Sequence, residues 1–320
     1  MAPTAASKRI GLDASVIIAT WNSCDTVLRA IKSALDQSSV ELEVIVVDDH
    51  SSDSTGERVV ALCDPRVKYY FLRTQLGASY ARNFGISRAT GDWIVILDAD
   101  DAMHPTRLFK MIELARAEGA DCAIDQIEAV DETGEKIGEF VHPFEPGVLD
   151  LNTYIRGNIL FGRAGFGYLK PILRRVFLQE CNIQYKMDLR IGEDFALISD
   201  VLLAKGRVLL TSGSDYIYTR RKNSLSYRSS SEDIRRMITY DDDLLQNHAF
   251  QKCQALQSSI NDHRAALHRL LCHTSIAESF YFGRFMKFIS LIITEREAIP
   301  FLWSVICMRA GRYAHLFGLR

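Results

Sequence analysis

Asp98-Ala99-Asp100-Asp101 places three carboxylates directly after an apolar run, Trp93 to Leu97. Trp-Ile-Val-Ile-Leu is short and rich in β-branched and aromatic residues, the signature of a buried strand. Carboxylates crowded at the C-terminal edge of a strand repel one another and resist burial unless positive charge sits among them. A divalent cation is the usual remedy, and oxygen ligands favour hard ions such as Mg²⁺ or Mn²⁺. In open α/β sheets, ligands bind beyond the carboxyl ends of the strands. The motif therefore points to a metal and, with it, a phosphate-bearing ligand. The competing reading is an acidic loop or helix cap with no ligand.

Two further runs end in the same manner. Val44-Ile45-Val46-Val47 leads into Asp48-Asp49-His50-Ser51-Ser52-Asp53-Ser54-Thr55, and Ala14 to Ala19 leads into Thr20-Trp21-Asn22. Between them the spacing is helical: Val27, Ala30, Ile31, Ala34 and Leu35 fall on one face of Thr26 to Leu35. Ser54-Thr55 is suited to cap a helix through Val59, Val60 and Leu62. Such alternation builds a parallel, doubly wound sheet. Three successive strand ends can serve a nucleotide-sized ligand, which needs a site for its base, one for its diphosphate and one for a metal.

Further along, Pro105 opens a helix through Leu108, Met111, Ile112, Leu114 and Ala115, ending at Glu118-Gly119. Ala120 to Val130 reads as one strand, Asp131 to Lys136 as a hairpin turn, and Ile137 to Val141 as the returning strand. Glycines 157, 162, 165 and 167 mark a backbone that approaches a ligand or bends a strand. Tyr168 to Ile172 is a candidate strand carrying Pro171. Phe195, Leu197, Ile198, Val201, Leu202 and Leu203 have helical spacing, so Glu193 and Asp194 stand at a helix N-terminus, where the dipole favours negative charge. Capping alone would explain them equally well.

The composition is that of an ordinary globular protein: 320 residues, 48% hydrophobic and 24% charged. A formal charge of −2 gives no argument for a nucleic-acid partner. The seven cysteines are scattered and odd in number, without a Cys-x-x-Cys pair. They read as reduced, buried thiols of a cytoplasmic protein. Residues 1–12 read as a flexible tail rather than a signal peptide. No apolar run approaches the roughly 18–20 residues of a membrane span.

In order and spacing, Ser15-Val-Ile-Ile-Ala-Thr-Trp-Asn22, Val47-Asp-Asp-His-Ser-Ser-Asp53, Gly77-Ala-Ser-Tyr-Ala-Arg-Asn83 with Gly85, and Leu97-Asp-Ala-Asp-Asp101 resemble the motifs of family 2 inverting glycosyltransferases. Within that family the likeness is to bacterial exopolysaccharide enzymes of the succinoglycan type. It covers residues 13–110 well and extends more loosely to about 230.

The resemblance implies a GT-A fold, a Rossmann-like mixed α/β sheet flanked by helices. Residues 13–110 would form the nucleotide-sugar half and 111–230 the acceptor and catalytic-base half, with 231–320 a helical appendage. It implies a nucleotide-diphospho-sugar donor, UDP-linked, and a saccharide acceptor carried on a polyprenyl lipid. Ala19, Thr20, Asp49, Arg82 and Asp98 would hold the donor, Asp98 and Asp100 the Mg²⁺ or Mn²⁺. Asp194, or failing that Glu193, would be the general base; the sequence does not choose between these neighbours. The basic segment Thr219 to Ser226 resembles the family's loop near the donor diphosphate.

From Ser231 the pattern turns helical, with a cap at Ser231-Glu232-Asp233 and a further helix from Ala255 to Phe282. Residues 281–320 carry six Lys/Arg against two Glu, a formal +4, among Phe, Ile, Leu and Trp. This composition suits either a peripheral contact with the inner face of the cytoplasmic membrane or internal packing. Two rivals stand outside the transferase reading. A sugar nucleotidyltransferase would open with a glycine-rich basic loop where Thr20-Trp21-Asn22-Ser23-Cys24 stands, and a degenerate scaffold would have lost its acidic motifs. A nicotinamide enzyme is disfavoured by the lack of Gly-x-Gly-x-x-Gly after the first strand.

Overall fold

The computed structural model describes residues 12–140, 145–159, 169–221 and 229–281. The chain divides into two compact units, residues 1–222 and 223–320.

The first unit is built on β1 (Ala14–Thr20), β2 (Leu42–Asp48), β3 (Val67–Phe71) and β4 (Trp93–Ile96), which pair in parallel in the order β3-β2-β1-β4. The inner strands are buried along almost their whole length, as continuous β-branched runs require when helices cover both faces. The crossover helices are α1 (Val27–Leu35), α2 (Thr55–Val60) and α3 (Ala78–Arg88). Register sets Thr20 level with Asp48, so the ends of β1 and β2 are adjacent. The N–H of Asp49 donates to the carbonyl of Thr20 at 2.8 Å.

Beyond β4 come the two-residue β5 (Ala102–Met103), α4 (Arg107–Ala117), β6 (Cys122–Ile124), β7 (Ile127–Val130), β8 (Lys136–Phe140), β9 (Gly147–Leu149), α5 (Leu151–Gly157), β10 (Ile172–Arg174), α6 (Arg175–Glu180), α7 (Glu193–Leu203), β11 (Val208–Leu210) and β12 (Tyr216–Thr219). The main sheet continues from β4 as β10-β6-β11-β9, and a second sheet runs β5-β12-β7-β8. β10 is antiparallel to both β4 and β6. The sheet is therefore mixed, as the family resemblance implied, rather than purely parallel.

Several sequence expectations change here. Ala120 to Val130 is two strands in two sheets, because Asp125 turns inward to meet the buried Arg107 with bonds of 2.7 and 2.8 Å. Helix α2 is shorter than expected, and Ser54 makes no side-chain cap. The carboxylate of Asp53 takes that place, accepting the N–H of Thr55 at 3.0 Å. The β10 strand starts after Pro171, not before it. β3 was not foreseen, its burial being only partial. Cys63 and Cys181 are exposed and Cys122 is buried, so a uniform set of buried thiols is not found; the six described cysteines are all free. Glycines 162, 165 and 167, residues 222–226 of the basic segment Thr219 to Ser226, the first eleven residues and the segment 282–320 lie outside the described residues.

The second unit holds α8 (Ser231–Gln246), α9 (His248–Gln251) and α10 (Gln254–Tyr281). Ser230 and Asp233 form a reciprocal capping box at the start of α8, one residue earlier than the expected cap. Ser231 is tied to Glu278 and Ser275, and a buried Asp241–His263 pair at 2.8 Å links α8 to α10.

Candidate active site

The polar residues singled out in the sequence gather at the C-terminal edge of the parallel strands, and two cations organise them. Arg82 lies on the second turn of α3, just after the Gly77 turn. Its guanidinium donates to Asp98 at 2.8 Å and to Glu193 at 2.9 Å, and lies over the Tyr185 ring with its carbon 5.2 Å from the centroid. The second cation is Lys170, which no motif had marked. Its ammonium bonds Asp98 at 2.9 Å and Asp194 at 2.6 Å. Tyr185 donates its hydroxyl to the other oxygen of Asp194 at 2.8 Å.

The fold explains how residues so distant in sequence meet. Gly192 adopts φ +75°, a left-handed turn that non-glycine residues resist, and this starts α7 with Glu193 and Asp194 at its head. Because β10 runs against β4, Ile172 pairs with Val95, and the residues just before β10 reach the level of Asp98. Lys170 enters the site that way. Its carbonyl is held at 2.8 Å by Arg107, whose guanidinium also packs on the Tyr216 ring.

Charge balance differs among the carboxylates. Burial would raise the Asp98 pKa, but Lys170 and Arg82 outweigh it and hold the group well below the ordinary range. Glu193 is pushed up by burial and by Asp194 despite Arg82. Burial would lower the Lys170 pKa, yet Asp194 and Asp98 raise it, so the ammonium stays charged. Asp101 is fully enclosed, accepting the Tyr216 hydroxyl at 2.7 Å and the Thr219 N–H at 2.8 Å. Burial, Asp100 and Asp98 raise its pKa strongly. The Tyr216 hydroxyl also accepts the N–H of Asp98 at 3.2 Å, so it fixes the backbone of the motif.

Among the described residues Asp100 has no close cation. It is partly exposed, and it faces Arg221 across 4.0 Å. Burial and Asp98 raise its pKa. Its backbone is anchored by Arg29, which donates to the Asp100 carbonyl and to Thr219 Oγ1 at 2.6 Å. A divalent ion fits here: a hard cation would relieve Asp100, and a diphosphate would supply further oxygens. Asp98 has each oxygen already engaged by a cation. Among the described residues no group of three or more His, Cys, Asp and Glu has the geometry of a metal cage.

On the nucleotide side, Asp49 accepts the N–H groups of Leu76 and Gly77 at 2.7 and 2.8 Å, which ties the end of β2 to the start of α3. Asp48 accepts the Ser51 N–H at 2.7 Å and the Tyr69 hydroxyl at 2.8 Å. Thr20 Oγ1 is buried and makes no hydrogen bond, while Ala19 beside it is partly accessible. Trp21 follows, 49% exposed. Tyr185, Tyr216 and Lys170 were all missed in the sequence. None of the three carries a sequence signal, and Lys170 reaches the site only through the direction of β10.

The family model for glycosyl transferase family 2 matches residues 15–177. The succinoglycan biosynthesis protein ExoO of Rhizobium meliloti (strain 1021) is 40% identical over 240 residues, 74% of this chain and 69% of that protein. The chain belongs to glycosyl transferase family 2. This family 2 chain is a glycosyltransferase, and its fold is GT-A. Among other relatives, the Escherichia coli UDP-Glc:α-D-GlcNAc-diphosphoundecaprenol β-1,3-glucosyltransferase WfgD is 29% identical over 164 residues, 51% of this chain and 61% of that one. The structure of S. aureus TarS 1–349 with UDP-GlcNAc superposes with a TM-score of 0.65 at 19% identity, covering 90% of this chain and 92% of that one. No described helix is long and apolar enough to cross a membrane.

Proposed function

We propose that this family 2 enzyme is an inverting, metal-dependent glycosyltransferase that moves a sugar from a UDP-sugar to a polyprenyl-linked saccharide in bacterial exopolysaccharide or cell-surface polysaccharide synthesis. The observation that carries this reading is the cluster at the sheet edge, where Arg82 and Lys170 bind the strand-end carboxylate Asp98 to the helix-head pair Glu193–Asp194. The donor type is supported by the neighbour solved with UDP-GlcNAc, and the lipid-linked acceptor by the activity named for WfgD. Exopolysaccharide synthesis is supported by the succinoglycan relatives.

In this reading Ala19, Thr20 and Asp49 receive the base and ribose. The unpaired Thr20 hydroxyl has hydrogen-bonding capacity to offer, and Asp49 keeps spare acceptor capacity beyond its two backbone bonds. Asp98, fixed between two cations, meets sugar or ribose hydroxyls. Asp100 holds Mg²⁺ or Mn²⁺, which when bound neutralises the departing diphosphate. Asp194 takes the proton of the acceptor hydroxyl. Tyr185 and Lys170 each occupy one of its oxygens and fix its orientation, and lone pairs remain on both. Glu193 instead braces Arg82. The segment 282–320, basic and aromatic, is the proposed peripheral contact with the cytoplasmic membrane surface.

A panel of UDP-, GDP- and dTDP-sugars scored by thermal shift with Mn²⁺ tests the donor; stabilisation confined to the GDP or dTDP series would reject UDP. Asp100→Ala should abolish transfer and leave the melting temperature unchanged. Full transfer in excess chelator would remove the metal from the scheme.

A further inference from the structure

Lys170 stands apart from the motifs that identify the family. It is 8% exposed, and the two partners of its ammonium are carboxylates from different parts of the fold, Asp98 after β4 and Asp194 on α7. The position is built rather than incidental. Pro171 accepts the N–H of Ile96, the reversed β10 strand sets the register, and buried Arg107, itself paired with Asp125, holds the Lys170 carbonyl.

We propose that Lys170 is a positioning residue that acts as a resident cation, joining the strand-end carboxylate Asp98 to the base Asp194 and confining any divalent ion to Asp100. Three carboxylates, Asp98, Glu193 and Asp194, share two cations, Arg82 and Lys170. Removing the ammonium leaves those three acids with one positive partner. Asp98 then has one oxygen without a cationic partner, and its charge already acts on Asp100 two residues along the chain. A bare divalent ion should bind such a site more tightly, while the orientation of Asp194 is lost. The role of Asp194 as base rests on the transferase reading above; the claim about the cation does not.

The experiment uses the whole chain. Free Mn²⁺ is titrated against wild type and Lys170→Met by electron paramagnetic resonance, with no nucleotide present. The expected result is about tenfold tighter Mn²⁺ binding in the variant, the scale of removing one nearby charge of the ion's own sign. A change of less than threefold in a folded variant overturns the proposal. Lys170→Gln, neutral but able to hydrogen-bond, carries the same measurement if Lys170→Met does not fold. In parallel, UDP release from UDP-glucose is compared for Lys170→Met, Asp194→Asn and the double variant. If Lys170 acts through Asp194, kcat falls in the single variant with KM for UDP-glucose little changed, and the double variant is no slower than Asp194→Asn. A double variant slowed by the product of both effects also overturns the proposal. Failure of wild type to bind UDP or release it from UDP-glucose would count against the transferase reading alone, because the Mn²⁺ titration needs no donor.

Discussion

Carboxylates at the same sheet edge are held in two different ways. On the β2 side, Asp48 and Asp49 accept from backbone N–H groups and a tyrosine hydroxyl. On the β4 side, Asp98, Glu193 and Asp194 rely on Arg82 and Lys170. Backbone donors are part of the fold and do not move without unfolding a turn, so they shape a recess. Cationic side chains can be shared and redistributed when an anionic or metal ligand arrives. The first arrangement suits recognition of a nucleoside, and the second suits a site where charge develops during reaction.

The largest effect should come from the cation-held side. Asp194→Asn should reduce turnover by roughly 10²–10⁴ and leave UDP affinity nearly intact. If Glu193→Gln proves the more severe change, the base lies one residue earlier and the orientation argument for Asp194 fails.

Glu43 sharpens the comparison because it combines both kinds of partner. It is buried on β2 and takes Ser15 and Thr90 hydroxyls, the Thr90 N–H and the Lys68 ammonium. Burial would raise its pKa, but these partners lower it from 4.5 to about 2. A carboxyl with a depressed folded pKa stabilises the fold above the unfolded value and loses that contribution as pH falls. Here the loss should fall between about pH 4.5 and pH 2. Its full size is of the order of 3 kcal/mol. Glu43→Gln should flatten the pH dependence of unfolding across that window in urea melts, with activity per folded molecule unchanged.

Asp49→Asn should be the mildest. An amide offers one acceptor where the carboxylate offered two, so one of the Leu76 and Gly77 N–H groups goes unpaired, at a cost of about 1–3 kcal/mol. The variant should melt earlier and bind UDP more weakly while kcat at saturation holds. A fall in kcat equal to that of Asp194→Asn would break the distinction between the two sides.

The strand ends were readable because β1, β2 and β4 are largely apolar runs that stop at polar residues, acids after β2 and β4 and Thr20-Trp21-Asn22 at β1, and a buried parallel strand leaves just that trace. The pair Glu193–Asp194 was readable from the helical spacing that follows it. Lys170 was not, since a lone lysine before a proline has no periodic or motif signature, and it reaches the site only because β10 is reversed. Tyr216 carries no motif of its own; its hydroxyl's bond to Asp101 depends on the pairing of β12 with β5, a tertiary event. The division of Ala120 to Val130 was hidden for a similar reason. Asp125 interrupts the strand to meet Arg107, and a one-dimensional pattern shows the interruption but not the partner.

The reversed β10 strand also has a consequence for synthesis. A ribosome adding about 5–20 residues per second delivers the acidic turn after β4 well before Lys170, Asp194, Tyr216 or Thr219 exist. Asp98 and Asp101 must wait in water, ionised and solvated, until the later half of the unit emerges. The parallel strands β1 to β4 can associate early, whereas closure of the acidic edge comes last and links residues far apart in the chain. A nascent chain arrested after α4 should therefore carry an ordered β1–β4 core with an open, protease-sensitive acidic rim. Protection of that rim would appear only once the residues through β12 have left the exit tunnel.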